Sequence, residues 1–133
     1  MKIIIDANHG IFGRLCSFAA KKALQGDEVV IVNSEKAVIS GDKKDIIAKY
    51  VRLKEKGGSS LKGPKYSRIA YKMLKRGIRG MLPDFRKGQG KEAFSRIRCY
   101  NGIPKEFENE KMIKSGKAKP RKYIELGELA KRI

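Results

Sequence analysis

Five cations, Lys65, Arg68, Lys72, Lys75 and Arg79, recur at steps of three or four residues, with Arg76 among them and Lys62 just upstream. On a helix that spacing gathers charge into one stripe rather than a halo. The chemistry open to such a stripe is recognition of a polyanion, because Lys and Arg neutralise phosphates and release the counterions condensed on them. Tyr66 and Tyr71 are interleaved with the cations, placed either to stack on bases or to anchor the helix to a core. Farther on, Arg86, Lys87, Gly88, Gln89, Gly90 and Lys91 form a cationic turn. Its glycines would let the backbone approach a phosphate chain closely; the plainer reading is a surface loop. Lys54 and Lys56 lead into the same stretch.

The charge behind this stripe is unevenly spread. Residues 1–48 hold 7 Lys and Arg against 6 Asp and Glu, residues 49–98 hold 16 against 3, and residues 99–133 hold 9 against 5. A near-neutral segment followed by a basic one describes a scaffold and a surface that meets nucleic acid. A membrane surface would instead draw amphipathic helices with bulky faces opposite the cations, a pattern the scattered charges do not follow. The longest apolar runs, such as Val29 to Val32, fall far short of the roughly 18 residues of a spanning helix. Cys16 and Cys99 have neither a CxxC partner nor ligand spacing, so both are expected as reduced thiols of a cytoplasmic protein, with no metal site.

Other residue types that could do chemistry lie in the first third. Gly10-Ile11-Phe12-Gly13 follows a strand and opens a helix, so its amides could hold a phosphate as in a nucleotide-binding α/β enzyme. The GxGxxG fingerprint is incomplete, since Asn8 stands where one glycine belongs, and a tight strand-to-helix turn is the plainer reading. Glu35 could stand in for a ribose-binding acid, or serve as a turn residue beside Lys36. His9 and Cys16 could make a nucleophile pair only with an exposed thiol. Cys16 instead falls within an apolar stripe, which points to core packing. Asp6 ends a strand without a partner carboxylate, and it suits an acceptor for turn amides better than an acid or base. No cofactor and no small-molecule substrate is expected.

These residues need elements to hold them. Lys2 to Asp6 reads as a strand, and Phe12, Leu15, Cys16, Ala19, Ala20, Ala23 and Leu24 fall on one face of a helix that Gly26 ends. Glu28 to Val32 is an almost continuous apolar run suited to a parallel strand covered on both faces, which completes a βαβ unit. A short strand is expected at Ala37 to Ser40. A helix then starts at Ser40-Gly41-Asp42 with Ile46, Ile47, Tyr50 and Val51 inward. After loops at Lys56 to Ser60 and Gly63-Pro64, the spacing predicts a helix from Ser67 to Ile78 that stops before Gly80 and Pro83. A short helix over Lys91 to Ile97, a strand at Arg98 to Tyr100, and a polar, extended tail from Lys105 to Lys122 follow. Apolar residues return at Leu126, Leu129 and Ile133. One domain spanning 1–133 is expected, with a 1–48 scaffold, a basic 49–98 part and a 99–133 last strand and tail.

Arg79-Gly80-Met81-Leu82-Pro83, with Lys62-Gly63-Pro64 before it and Tyr100-Asn101-Gly102-Ile103-Pro104 after it, resembles the universal large-subunit ribosomal protein thirteen family. Asp6-Ala7, Gly13-Arg14-Leu15 with Ser17 and Ala20, Asn33 to Lys36 and Ser40-Gly41 are similar to that family's opening pattern. The short basic form with Tyr100 to Pro104 resembles the archaeal and eukaryotic branch. The resemblance implies a three-layer α/β/α fold with a four-stranded parallel sheet, strand order 3-2-1-4, carrying basic extensions and a C-terminal tail. It also implies a structural constituent of the large subunit that binds and stabilises ribosomal RNA, with neighbouring ribosomal proteins as further partners, and no catalysis. Lys65 to Tyr71 departs from the family, which commonly has prolines and aromatics after its Gly-Pro.

Overall fold

The computed structural model describes residues 2–56, 67–114 and 120–133. β1 (Lys2–Asp6), α1 (Phe12–Leu24) and β2 (Glu28–Val32) form the expected βαβ unit, with β1 and β2 parallel and Lys2 opposite Glu28. Alternation in these strands divides two faces. Ile5, Val29 and Ile31 join Leu15, Cys16, Ala19, Ala20 and Ala23 of α1 in the main core, while Ile4, Val30 and Val32 point the other way. Each buried Ile or Val of these strands contributes about 1.5–3 kcal/mol, enough to fix the strand register, because a one-residue slip would exchange the two faces. Gly26, at φ +99°, ends α1 as its position suggests.

After the turn at Ser34–Lys36 come β3 (Val38–Ser40), α2 (Lys43–Glu55), α3 (Ala70–Gly80), α4 (Gly88–Ser95), β4 (Ile97–Cys99), β5 (Ile113–Lys114), β6 (Tyr123–Glu125) and α5 (Leu126–Arg132). Asp42 caps α2 by accepting the Lys44 amide at 3.2 Å. β3 is short and leaves the main sheet, pairing antiparallel with β6 in a separate ribbon. The main sheet runs β4-β2-β1-β5, all parallel, so its own four strands counted along the chain follow 3-2-1-4.

The tail departs from its expected extended form. Within it, Lys105–Phe107 makes a 3-10 turn that buries Phe107 against Ile4, Val30 and Val32, and Ile113–Lys114 supplies the fourth strand beside β1. The apolar face of the sheet draws this segment in. The layers are therefore unequal: α1, α3 and α4 back one face, and Phe107, with Tyr100 and Met112, is the main cover of the other among the described residues.

Helix α3 starts later and ends later than its sequence spacing predicts. Ser67 Oγ accepts the Ile69 amide at 3.1 Å, a local turn that competes with helix and delays its start to Ala70. At the other end Gly80 does not take a left-handed conformation, so it carries no stop signal. The chain instead tightens through Met81 N–H to the Ile78 carbonyl and Leu82 N–H to the Arg79 carbonyl, and Pro83 prevents continuation. Helix α4 also lies earlier than expected, at Gly88–Ser95 rather than from Lys91 to Ile97.

Candidate nucleic-acid interface

At about 100° per residue, Ala70, Met73, Leu74 and Ile78 fall on the buried side of α3, whereas Lys72, Lys75, Arg76 and Arg79 share one arc opposite. The two requirements, core burial and cation display, are thus met by the same eleven residues. No acidic residue occurs between Glu55 and Asp84, so this face gains no neutralising carboxylate from its own stretch of sequence. Arg68, expected on the same helical stripe, precedes the helix and is exposed. Lys62, Lys65 and Tyr66 lie outside the described residues, as do the loops expected around Ser59 and Gly63-Pro64.

Two aromatic rings organise the cations, and neither stands out in the sequence. The Arg79 guanidinium lies 4.7 Å from the centroid of the Phe85 ring, and that of Arg86 lies 5.4 Å from the same ring. Lys75 Nζ sits 5.0 Å over Phe94. Phe85 and Phe94 meet edge to face, with centroids 6.0 Å apart. Each cation–π contact is worth about 0.5–1 kcal/mol at an exposed site, and together they hold three side chains from helix and loop in one field. The only signal in the sequence is an aromatic beside a basic turn, which a loop reading does not rank.

The turn after α3 is built rather than loose. Asp84 Oδ1 accepts the Arg86 amide at 3.0 Å, and Gly90 is buried so closely against the Pro83 and Asp84 carbonyls that a Cβ there would overlap backbone. Lys87 is the extended residue just before α4 and makes no side-chain capping bond, and Lys91 is exposed one turn along the helix. Lys56 is exposed at the end of α2, but Lys54 is engaged elsewhere, donating from Nζ to the Ile133 carbonyl at 3.0 Å. Tyr71 packs against the main core, the anchoring alternative of its two readings.

The residues of the first third take structural places. Val38 N–H donates to the Gly10 carbonyl at 2.8 Å and His9 N–H to the Lys36 carbonyl at 3.3 Å, so the glycine turn seats β3. Asp6 Oδ1 accepts the Asn8 amide and the Asn33 Nδ2, both at 3.0 Å. Glu35 Oε2 accepts the Gly102 amide at 2.9 Å. Cys16 is buried, its thiol directed at the Leu74 carbonyl at 3.8 Å. Burial, helped by neighbouring Cys99, pushes its pKa up to about 12, which removes the thiolate a nucleophile would need.

Comparison with known proteins places this arrangement in a lineage. The family profile described as ribosomal protein L13 matches residues 1–106. The large ribosomal subunit protein uL13 of Methanosarcina barkeri is 42% identical over 136 residues, covering 98% of this chain and 96% of that protein. The same-named protein of Methanocaldococcus jannaschii is 44% identical over 133 residues, covering 98% and 96%. That of Thermoplasma volcanium is 46% identical over 111 residues, covering 84% and 80%.

Proposed function

The chain belongs to the ribosomal protein L13 family, and from that premise we propose that it is a structural constituent of the large ribosomal subunit. In this reading it binds and stabilises ribosomal RNA during assembly and in the mature particle, in the cytoplasm and beside other ribosomal proteins. The family is structural and non-enzymatic, so the alternative of a nucleotide-binding enzyme at Gly10 to Gly13 is not retained.

The observation that carries the RNA assignment is the outward arc of Lys72, Lys75, Arg76 and Arg79. Arg68, Arg86, Lys87, Lys91 and Lys56 extend its field; Lys62 and Lys65 belong to the same proposed surface by sequence. Lys54 is a weaker member because binding would compete with its bond to Ile133. Contacts of this kind go to phosphates and 2′-hydroxyls and read the shape of folded RNA more than its base order.

Filter binding to a large-subunit rRNA transcript across a salt series tests the reading. The combined variant Lys72→Gln, Lys75→Gln, Arg76→Gln, Arg79→Gln should lower the slope of log K against log[salt] by roughly 3, at about 0.7–0.9 per phosphate. An unchanged slope would sink the assignment of this arc. Co-sedimentation of the chain with large subunits through a high-salt wash separates ribosomal RNA from other nucleic acid as its partner.

A further inference from the structure

The Phe85 ring carries two guanidinium groups that reach it from different elements: Arg79 at 4.7 Å from the last turn of α3, and Arg86 at 5.4 Å from the turn that follows. We propose that these two arginines act as one clip, set by Phe85, for a place where the RNA backbone bends sharply or two strands converge, in preference to the backbone of a regular helix; the proposal rests on the RNA-binding reading above.

The spacing of the clip is fixed from behind. Phe85 meets Phe94 of α4 edge to face at 6.0 Å, Gly90 seats α4 against the Pro83 and Asp84 carbonyls, and Asp84 Oδ1 holds the Arg86 amide at 3.0 Å. Sharing one ring keeps two like charges close together, and they repel unless a carboxylate or an outside anion offsets them. Neither arginine forms an ion pair among the described residues. A guanidinium lying over a ring gives the ring its flat face and keeps its N–H edge for an acceptor. Two such edges are therefore ordered before a ligand arrives.

Placement selects the occupant. Lys72, Lys75, Arg76 and Arg79 lie along one helix, so they follow a single strand for about 10 Å at 1.5 Å per residue. Phe94 takes Lys75 and Phe85 takes Arg79, which sets the two rings along the flank of α3. Arg86 reaches that flank from the returning chain and gives the line of cations a second point beside its end. A regular helix spaces its phosphates evenly along each strand and leaves such a side point unused, whereas a bend or a converging strand brings a second phosphate to it. An acidic peptide would neutralise the pair alone; the cations in line with it call for a polyanion.

Filter binding of the full chain to two RNA probes of equal nucleotide number, a duplex and a three-way junction, tests the clip. The junction should bind about 10-fold tighter than the duplex, and Arg86→Gln, a change at an exposed position, should cost about 10-fold on the junction and under about 2-fold on the duplex. Phe85→Leu keeps both charges and should lose the same preference, whereas a merely structural weakening would affect both probes alike. When Arg79→Gln and Arg86→Gln are combined, the junction loss should fall short of the product of the single losses, as for groups that act as a unit. Equal wild-type affinity for the two RNAs, equal losses on both, or strictly multiplicative losses would overturn the clip while the phosphate arc stands. Absent or salt-independent binding of the wild-type chain to both RNAs would instead defeat the RNA-binding reading.

Discussion

The guanidinium of Arg79 rests 4.7 Å from the centre of the Phe85 ring, which joins the last turn of a helix to the loop that follows it. An arginine on a solvent-facing helix end ordinarily loses considerable rotamer freedom when it grips a phosphate. Here part of that ordering is already done. The same ring also carries Arg86, so one apolar side chain sets the spacing of two charges.

Phe85→Leu should therefore weaken binding without removing charge. The expected result is a rise in Kd for a large-subunit rRNA transcript of at most about 5- to 30-fold, from the loss of two cation–π contacts of about 0.5–1 kcal/mol each. The salt slope should stay at the wild-type value. A reduced slope would show that the ring matters to phosphate count and not to preorganisation.

Glycine-to-alanine changes should go in opposite directions on two helices. Gly13 lies in the first turn of α1, and a methyl group added there would meet nothing within 4 Å among the described residues, so Gly13→Ala should stabilise by about 0.5 kcal/mol through helix propensity. Gly77→Ala gains the same propensity but meets Phe12 and Cys16 at 2.6 and 3.0 Å, and overpacking costs about 1–3 kcal/mol. Urea midpoints of the isolated chain should rank Gly13→Ala above wild type and Gly77→Ala below it.

Gly90→Ala is expected to be the most damaging of the small changes. Its methyl group would overlap the Pro83 and Asp84 carbonyls, which belong to backbone and not to a side chain that can swing aside. Helix α4 would have to undock from the turn, taking Phe94 from Phe85. Loss of about 2–4 kcal/mol in urea unfolding, together with loss of near-ultraviolet signal, would mark this outcome; wild-type stability would contradict it.

Both thiols are masked by burial. Cys16 and Cys99 each rise from 9.0 to about 12, so neither should react with a disulfide reagent at pH 8 until the chain unfolds. The linkage has a definite sign. The thiol form is favoured in the folded state, so its stabilising contribution is complete below pH 9 and is lost as pH rises towards 12, where the unfolded chain releases protons first. Melting of the wild-type chain should fall more steeply between about pH 9 and 10.5 than that of Cys99→Ala. Equal slopes would remove the thiols as the cause.

The parts of this fold legible in the sequence are those governed by short-range periodicity. Phe12 to Leu24 and Glu28 to Val32 carry their burial pattern on their face, and Asp42 and Gly26 mark helix ends by side-chain and backbone chemistry alone. Ile113-Lys114 is not legible as a strand, because two residues have no period; they are a strand only because β1 offers them an edge. The four cations of α3 are legible as a stripe, while Arg68 is lost to a serine turn whose hydrogen bond competes locally with helix. Phe85 and Phe94 are nine positions apart and acquire meaning only once α4 folds back onto the turn, a tertiary event that spacing does not encode.

The sheet order β4-β2-β1-β5 also sets a timetable for the nascent chain. The first two strands lie at the centre, and both flanking strands arrive from beyond residue 96. Until Ile113 and Lys114 have emerged and found β1, that strand presents an unpaired edge, the kind of template on which other chains aggregate. Truncation between residues 81 and 112 would make this transient hazard permanent, although α3 and its cations would already be present in the chain.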